Sequence, residues 1–241
     1  IFEGSLVNTL KHPSTVNDVT RMPKNDKCIV TACDDGKAYV WHVSLKKVAA
    51  ATTRIIAELP HSGSKVTCVT TTPAGRYIIT IANNQQTNNF VAYVWDRDAQ
   101  FNLVHRFTEH AYPVTAVTAS CQYVATGSAD GAIYIWGLHN DHELVGTLTG
   151  HTKSITALQV TTQGRRIISS SVDQTACEWN VADCSLVRRW CDGEDGRTHS
   201  QLHTSNKKHH ALVRALAISP CSKWAYVGTD DGAISGWNCA R

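Results

Sequence analysis

No stretch of the 241 residues approaches the roughly 20 apolar positions that cross a bilayer. The longest candidate, around residues 48–56, is broken by Thr52, Thr53 and Arg54, so no membrane insertion is expected. No run of five or more like charges occurs either. Charged residues are scarce at 18% and nearly balanced, 23 basic against 20 acidic, for a net charge of +3. Such a balance excludes a chain whose charge alone would hold nucleic acid or a membrane surface. Aromatic residues make up only 7% and do not interleave with Arg or Lys as an RNA-stacking platform requires. No Gly-rich phosphate loop of the Walker or dinucleotide type is present. The 9 cysteines form no CxxC pair and sit mostly in apolar segments. They read as small core residues in a reducing, intracellular compartment, cytoplasmic or nuclear, rather than as a disulfide framework. With 42% hydrophobic residues the chain can bury a sizeable core. It begins at Ile1 without an initiator Met or a secretory leader, so an upstream segment is expected.

What is present is a repeat. Trp41, Trp95, Trp136, Trp179 and Trp237 each end a similar segment, at spacings of 54, 41, 43 and 58. Six residues before four of them stands an aspartate: Asp35, Asp130, Asp173 and Asp231. Further upstream comes a histidine: His12, His61, His110, His151 and His209. Between histidine and aspartate lie two β-rich runs. The first carries two apolar residues three apart, such as Val66 and Val69 or Ile155 and Leu158. Two positions after the first of each pair comes a small residue in Cys68, Ala116, Ala157 and Ala215, with Asp18 the exception. The second run is 28–32, 77–81, 123–127, 167–171 and 225–229. Asp-Gly turns at 35–36, 130–131 and 231–232 favour short hairpins into a third strand that ends at the tryptophan. A more polar fourth strand follows at 101–108, 143–148, 185–190 and, more loosely, 48–59. Four short antiparallel strands repeated five times predict the blades of a β-propeller, because a lone four-stranded sheet cannot cover both of its apolar faces whereas stacked sheets can. The expected fold is all-β, a single domain over residues 1–241. Its units fall at 12–59, 61–108, 110–148, 151–190 and 209–238, with an inserted loop at 191–208.

At these residues the chain resembles the WD-repeat family. The likeness is carried by Leu148-Thr149-Gly150-His151, by residues 125–131 followed by Ile133-Tyr134-Ile135-Trp136, and by the one true Trp-Asp pair, Trp95-Asp96. The second unit departs from the pattern: its turn is stretched through residues 83–89 and holds no aspartate. The resemblance implies a buried hydrogen-bond network in each unit, tying the turn between second and third strands to the loop that leads into the sheet. Its members would be His12, Thr31, Asp35 and Trp41; His110, Thr126, Asp130 and Trp136; His151, Ser169, Asp173 and Trp179; and His209, Asp231 and Trp237. The fifth set is expected to be incomplete, since Val227 takes the hydroxyl position.

A hydroxyl, a histidine and an aspartate also make a hydrolase triad. Recurrence in unit after unit speaks against that use, because an enzyme needs one active site. Residues 190–210 hold Cys191, His199, His203 and either His209 or His210 as a donor set for zinc. The spacing matches no standard zinc pattern and includes a single sulfur, so a polar, partner-docking loop is the preferred reading. Glu178 and Asp183 read as ordinary sheet and loop polarity rather than a catalytic dyad. No cofactor or metal is expected.

The leading expectation is a non-enzymatic protein-interaction scaffold, a rigid subunit of a larger intracellular assembly, whose loops carry function. Candidate partner contacts are Tyr112, Lys153, Asn84, Gln86, Gln174, Arg197 and Lys208, together with the 191–208 loop. The alternative is a peripheral subunit of a ribonucleoprotein assembly in which Arg54, Arg76, Arg165, Arg166, Arg188 and Arg189 touch phosphates. A propeller enzyme is the third reading, and no convergent acid/base pair supports it. Residues 4–10 match residues 143–148 in phase and are expected to form a fourth strand. Five units are few for this family, and the resemblance implies six to eight. A larger ring, with its first blades before Ile1, is therefore expected; the alternative is a closed five-bladed ring in which the strand at 4–10 completes the last unit.

Overall fold

The computed structural model describes residues 9–23, 27–43, 53–139, 142–190 and 212–239. The expected strand at 4–10, apart from its last two residues, and the 191–208 loop with Arg197 and Lys208 lie outside them. So do Cys191, His199, His203, His209 and His210.

Every described element is a strand, and the strands form five antiparallel sheets. The first is β1 (Val16–Arg21), β2 (Cys28–Cys33), β3 (Lys37–His42) and β4 (Arg54–Pro60), in chain order. The second is β5 (Lys65–Thr71), β6 (Tyr77–Asn84), β7 (Asn89–Asp96) and β8 (Asn102–Phe107). The third holds β9 (Val114–Ala119), β10 (Tyr123–Ser128), β11 (Ile133–Gly137) and β12 (Leu144–Leu148); the fourth holds β13 (Ile155–Val160), β14 (Arg166–Ser171), β15 (Ala176–Asn180) and β16 (Ser185–Trp190). The fifth has three strands among the described residues, β17 (Val213–Ile218), β18 (Trp224–Thr229) and β19 (Ile234–Asn238). These are the blades anticipated from the repeat. They gather into two compact units, residues 1–111 and 112–241.

Burial explains why each sheet needs a neighbour. Strands β7 and β10 are buried along nearly their whole length, so both of their faces are covered, whereas outer strand β8 alternates exposed and half-buried positions up to the buried Phe107. In the first unit one core cluster draws Val30, Ala32 and Val40 from the first sheet and Val66, Ile78 and Trp95 from the second. In the second unit Ile133 and Ile135 of the third sheet pack with Ile155, Ile167 and Trp179 of the fourth, and Ile168 and Ala176 pack with Val213 and Leu216 of the fifth.

The apolar pairs three residues apart would point to opposite faces of a regular strand. A bulge corrects the parity. The register of the innermost strand shifts at Val16/Asp18, Val66/Cys68, Ile155/Ala157 and Val213/Ala215, and Val114 and Ala116 flank the same shift in the third sheet. In the second, fourth and fifth sheets both residues of the pair then reach the core: Val66 and Val69, Ile155 and Leu158, Val213 and Leu216 are all buried, whereas Val16 and Val19 of β1 stay exposed. The small residue sits at the bulge. In β1 that place belongs to Asp18, whose carboxylate accepts hydrogen bonds from Val19 N at 2.8 Å and from Val69 N at 2.9 Å. A second bulge falls at the tryptophan of the third strand, at Val40/Trp41, Val94/Trp95, Ile135/Trp136 and Glu178/Trp179.

Candidate functional site

In each of the first four sheets a buried hydroxyl takes the tryptophan indole N–H, and polar residues gather around it. The fourth sheet holds the full set. Trp179 Nε1 donates to Ser169 Oγ at 2.7 Å, His151 Nε2 lies 2.7 Å from the same oxygen, and His151 Nδ1 lies 2.8 Å from Asp173 Oδ2. Asp173 also accepts from Thr152 N at 3.0 Å and from the Thr175 hydroxyl at 2.7 Å. Burial lowers the proton affinity of the His151 ring despite the aspartate beside it. Burial pushes Asp173 the other way, but its hydrogen bonds outweigh that and hold it below the usual carboxylate range.

The other sheets use parts of this set. In the first, Thr31 Oγ1 accepts from Trp41 Nε1 at 3.0 Å and lies 2.8 Å from His12 Nε2. Asp35 turns instead to the Tyr39 hydroxyl and to Lys37 N. In the third, Trp136 Nε1 donates to Thr126 Oγ1 at 2.8 Å, and Asp130 accepts from Ala132 N at 2.9 Å and from the Tyr134 hydroxyl at 3.5 Å. His110 is buried. In the fifth, Asp231 accepts from the Thr229 hydroxyl and from Ala233 N. Val227 fills the hydroxyl position, and the Trp237 indole stacks on Trp190 with ring centroids 6.0 Å apart.

The second sheet holds residues that the sequence reading did not assign to a network. Trp95 Nε1 donates to Thr80 Oγ1 at 2.9 Å, and His61 Nε2 lies 2.7 Å from that oxygen. Asn84 stands where the other sheets place aspartate. Its Oδ1 accepts from Gln86 N at 3.0 Å, the same two-residue reach that Asp35, Asp130 and Asp173 make. Asn84 does not meet the histidine: His61 Nδ1 is buried without a hydrogen bond. Burial pulls the His61 pKa down to about 4.

Of the candidate partner contacts, Tyr112 is 54% exposed. Lys153 and Gln86 are exposed as well, while Asn84 and Gln174 are half-buried. Gln174 adopts a left-handed φ of +73° at the place where Gly36, Gly131 and Gly232 turn the other hairpins. The arginines separate. Arg76 grips Asp96 through Nε at 3.1 Å and Nη2 at 2.9 Å, and Arg189 Nη2 donates to Gly150 O at 2.6 Å. Arg166 and Arg188 converge on Glu178, while Arg54 and Arg165 are exposed. Asp183 accepts from the Ser185 hydroxyl at 2.7 Å at the surface. Among the described residues no group of three or more His, Cys, Asp or Glu side chains is placed to hold a metal.

Taken alone, Asp173, His151 and Ser169 have the spacing of a hydrolase relay. Access separates the two uses. Ser169 is fully buried, and its oxygen is occupied by an indole N–H. The arrangement braces the Asp173 turn against the loop bearing His151 and Thr152.

The family model described as "WD domain, G-beta repeat" matches residues 4–42, 101–137, 142–180 and 200–238, more than half of the chain. Each match to described strands ends with the third strand of a sheet, and the second and third begin in or just before the outer strand of the preceding one. The chain is 38% identical over 130 residues to "Ribosome biogenesis protein WDR12 homolog" of Drosophila mojavensis, covering 52% of this chain and 27% of that protein. It is 32% identical over 135 residues to "p21-activated protein kinase-interacting protein 1-like" of Gallus gallus, covering 55% and 31%. It is 22% identical over 258 residues to "Protein groucho" of Drosophila melanogaster, covering 96% and 34%. The chain thus spans about a third or less of each of these relatives. The repeated sheets and their tryptophan-centred networks, together with these matches, show that the chain belongs to the WD-repeat family.

Proposed function

We propose that the chain is a non-enzymatic scaffold that holds other proteins within an intracellular assembly, with Tyr112, Lys153 and Gln86 as contacts. The observation that carries this reading is the consumption of the reactive-looking groups. Thr31, Thr80, Thr126 and Ser169 each accept from a tryptophan indole inside the sheet, which leaves the exposed loop residues as the surface open to a partner. All eight described cysteines are free thiols, which supports a reducing compartment. The names of two relatives, an interacting protein and a ribosome biogenesis protein, fit an assembly role. The test is affinity purification of the full-length protein beside a Tyr112→Ala/Lys153→Glu variant of equal melting temperature. Selective loss of one set of co-purifying proteins is expected; identical sets, or a hydrolytic activity that disappears in Ser169→Ala with the fold intact, would sink the reading.

A second reading, a peripheral subunit of a ribonucleoprotein assembly, draws on the ribosome biogenesis relative. Retention on RNA that falls steeply with salt is its signature.

A further inference from the structure

Glu178 occupies the position just before the tryptophan, which is Val40, Val94 and Ile135 in the first three sheets. It is only 2% exposed. A carboxylate in such a place is costly unless positive groups compensate it, and two do. Arg166 Nη1 lies 3.1 Å from Oε1 and Arg188 Nε lies 3.7 Å from Oε2. The three residues come from β14, β15 and β16. Glu178 directly opposes Arg188 in the sheet register, and Arg166 reaches it diagonally from beside Asn180.

The two guanidiniums are not enclosed. Their side chains remain 39% and 30% exposed. Arg188 spends Nη1 on Asn238 O at 3.2 Å, and Arg166 spends Nη1 on Glu178. Among the described residues nothing accepts from Arg166 Nη2 or Arg188 Nη2. Arg76, by contrast, spends its planar fork on Asp96. Two positive groups against one negative leave a single positive charge at this spot, with each guanidinium held by one hydrogen bond, Arg166 to Glu178 and Arg188 to Asn238 O.

We propose that Arg166 and Arg188, anchored by Glu178, form a receptor for one anionic group, a phosphate or a carboxylate, carried on a side chain of a partner protein. The site follows from the geometry; that its ligand is carried by a protein rests on the scaffold reading. A nucleic-acid backbone needs a track of cations, and this spot offers one net charge in a chain of net charge +3. Glu178 is a positioning residue here. It holds Arg166 by a hydrogen bond and draws Arg188 by charge across 3.7 Å, and at the same time it repels the anion.

That double role makes the test directional. Inorganic phosphate titrated into the full-length protein is expected to shift the Arg166 and Arg188 side-chain NMR signals saturably. Glu178→Gln, which keeps an oxygen to accept from Arg166 but removes the repelling charge, is expected to bind phosphate roughly three- to tenfold more tightly. Arg166→Met and Arg188→Met, each checked for an unchanged amide spectrum, are expected to bind it roughly three- to tenfold more weakly. No saturable shift, or affinity unchanged in both methionine variants, overturns the site. If Glu178→Gln fails to fold, the methionine variants decide. A phosphoserine peptide and a glutamate peptide are then compared with the unmodified serine peptide and with a single-stranded RNA. Preference for either anionic peptide supports a protein carrier and says which anion. Preference for the RNA, with steep salt dependence, overturns the protein carrier while leaving the anion site in place.

Discussion

Ser169 Oγ lies 2.7 Å from both Trp179 Nε1 and His151 Nε2, inside a sheet with no exposure. Removing it strands two buried polar groups at once, the case in which a lost hydrogen bond is expensive. Ser169→Ala is expected to destabilise the protein by about 2–4 kcal/mol, measured by chemical denaturation. A change below the error of that measurement would mean the hydroxyl does not brace the blade. His61 makes a pH-dependent statement. Its pKa falls from an ordinary 6.5 to about 4 on folding because burial disfavours the charged ring. Between those values the unfolded chain binds the extra proton, so stability drains away as pH falls from 6.5 towards 4, and nothing is lost above 6.5. The span corresponds to about 3 kcal/mol. His61→Gln is expected to flatten that part of the stability profile; an equally steep slope in the variant would assign the acid sensitivity elsewhere.

At the scale of the element, the hairpins decide how much could be read in advance. Counting six residues back from the tryptophan finds Asp35, Asp130, Asp173 and Asp231 because those hairpins are of one length. In the second sheet β6 and β7 run to Asn84 and Asn89, so the same count lands on Asn89 and the aspartate position looks empty. Counting four forward from the hydroxyl, as Thr31 to Asp35 or Ser169 to Asp173, finds Asn84 from Thr80. The position is legible in the sequence only from the hydroxyl side, because the hairpin between it and the tryptophan varies in length. The Arg166–Glu178–Arg188 ladder was not legible, since it depends on cross-strand register, which no spacing along the chain prints. Turn chemistry supplies two opposed expectations. A Cβ at Gly131 would stand 2.7 Å from His151 O and 2.9 Å from Lys153 O, and φ there is +90°. Gly131→Ala should therefore cost about 2–4 kcal/mol. Gln174 bears the left-handed strain that glycine avoids, so Gln174→Gly should gain up to about 1 kcal/mol. A paired melting experiment checks both, and like-signed shifts would refute the shared turn geometry.

For the whole molecule, repetition means that stability is assembled from sheets and from the contacts between sheets that stack. The all-β class and the blade order were readable because tryptophan, turn and small-residue positions recur in phase. The expected strand at 4–10 falls outside the described residues, apart from its last two, so its pairing with the last sheet is not part of what they show. Trp136→Ala, which empties a fully buried indole from the third sheet, is expected to cost about 3–5 kcal/mol. Hydrogen exchange should show protection lost most strongly in β9–β12 and next in β13–β16, where the core of the third sheet continues. Uniform loss across all nineteen described strands would instead make the chain one indivisible cooperative unit.

The offset between the matched repeats and the sheets bears on how such a chain can change its length. The match at 142–180 contains β12 of the third sheet and β13, β14 and β15 of the fourth. Excising that segment from the gene would bring β16 into the place of β12, beside β11, and the junction would heal as a complete four-stranded sheet. Because the matched repeat is shifted by one strand from the sheet, losing one whole repeat would still leave the third sheet with four strands, the last of them lent by its neighbour.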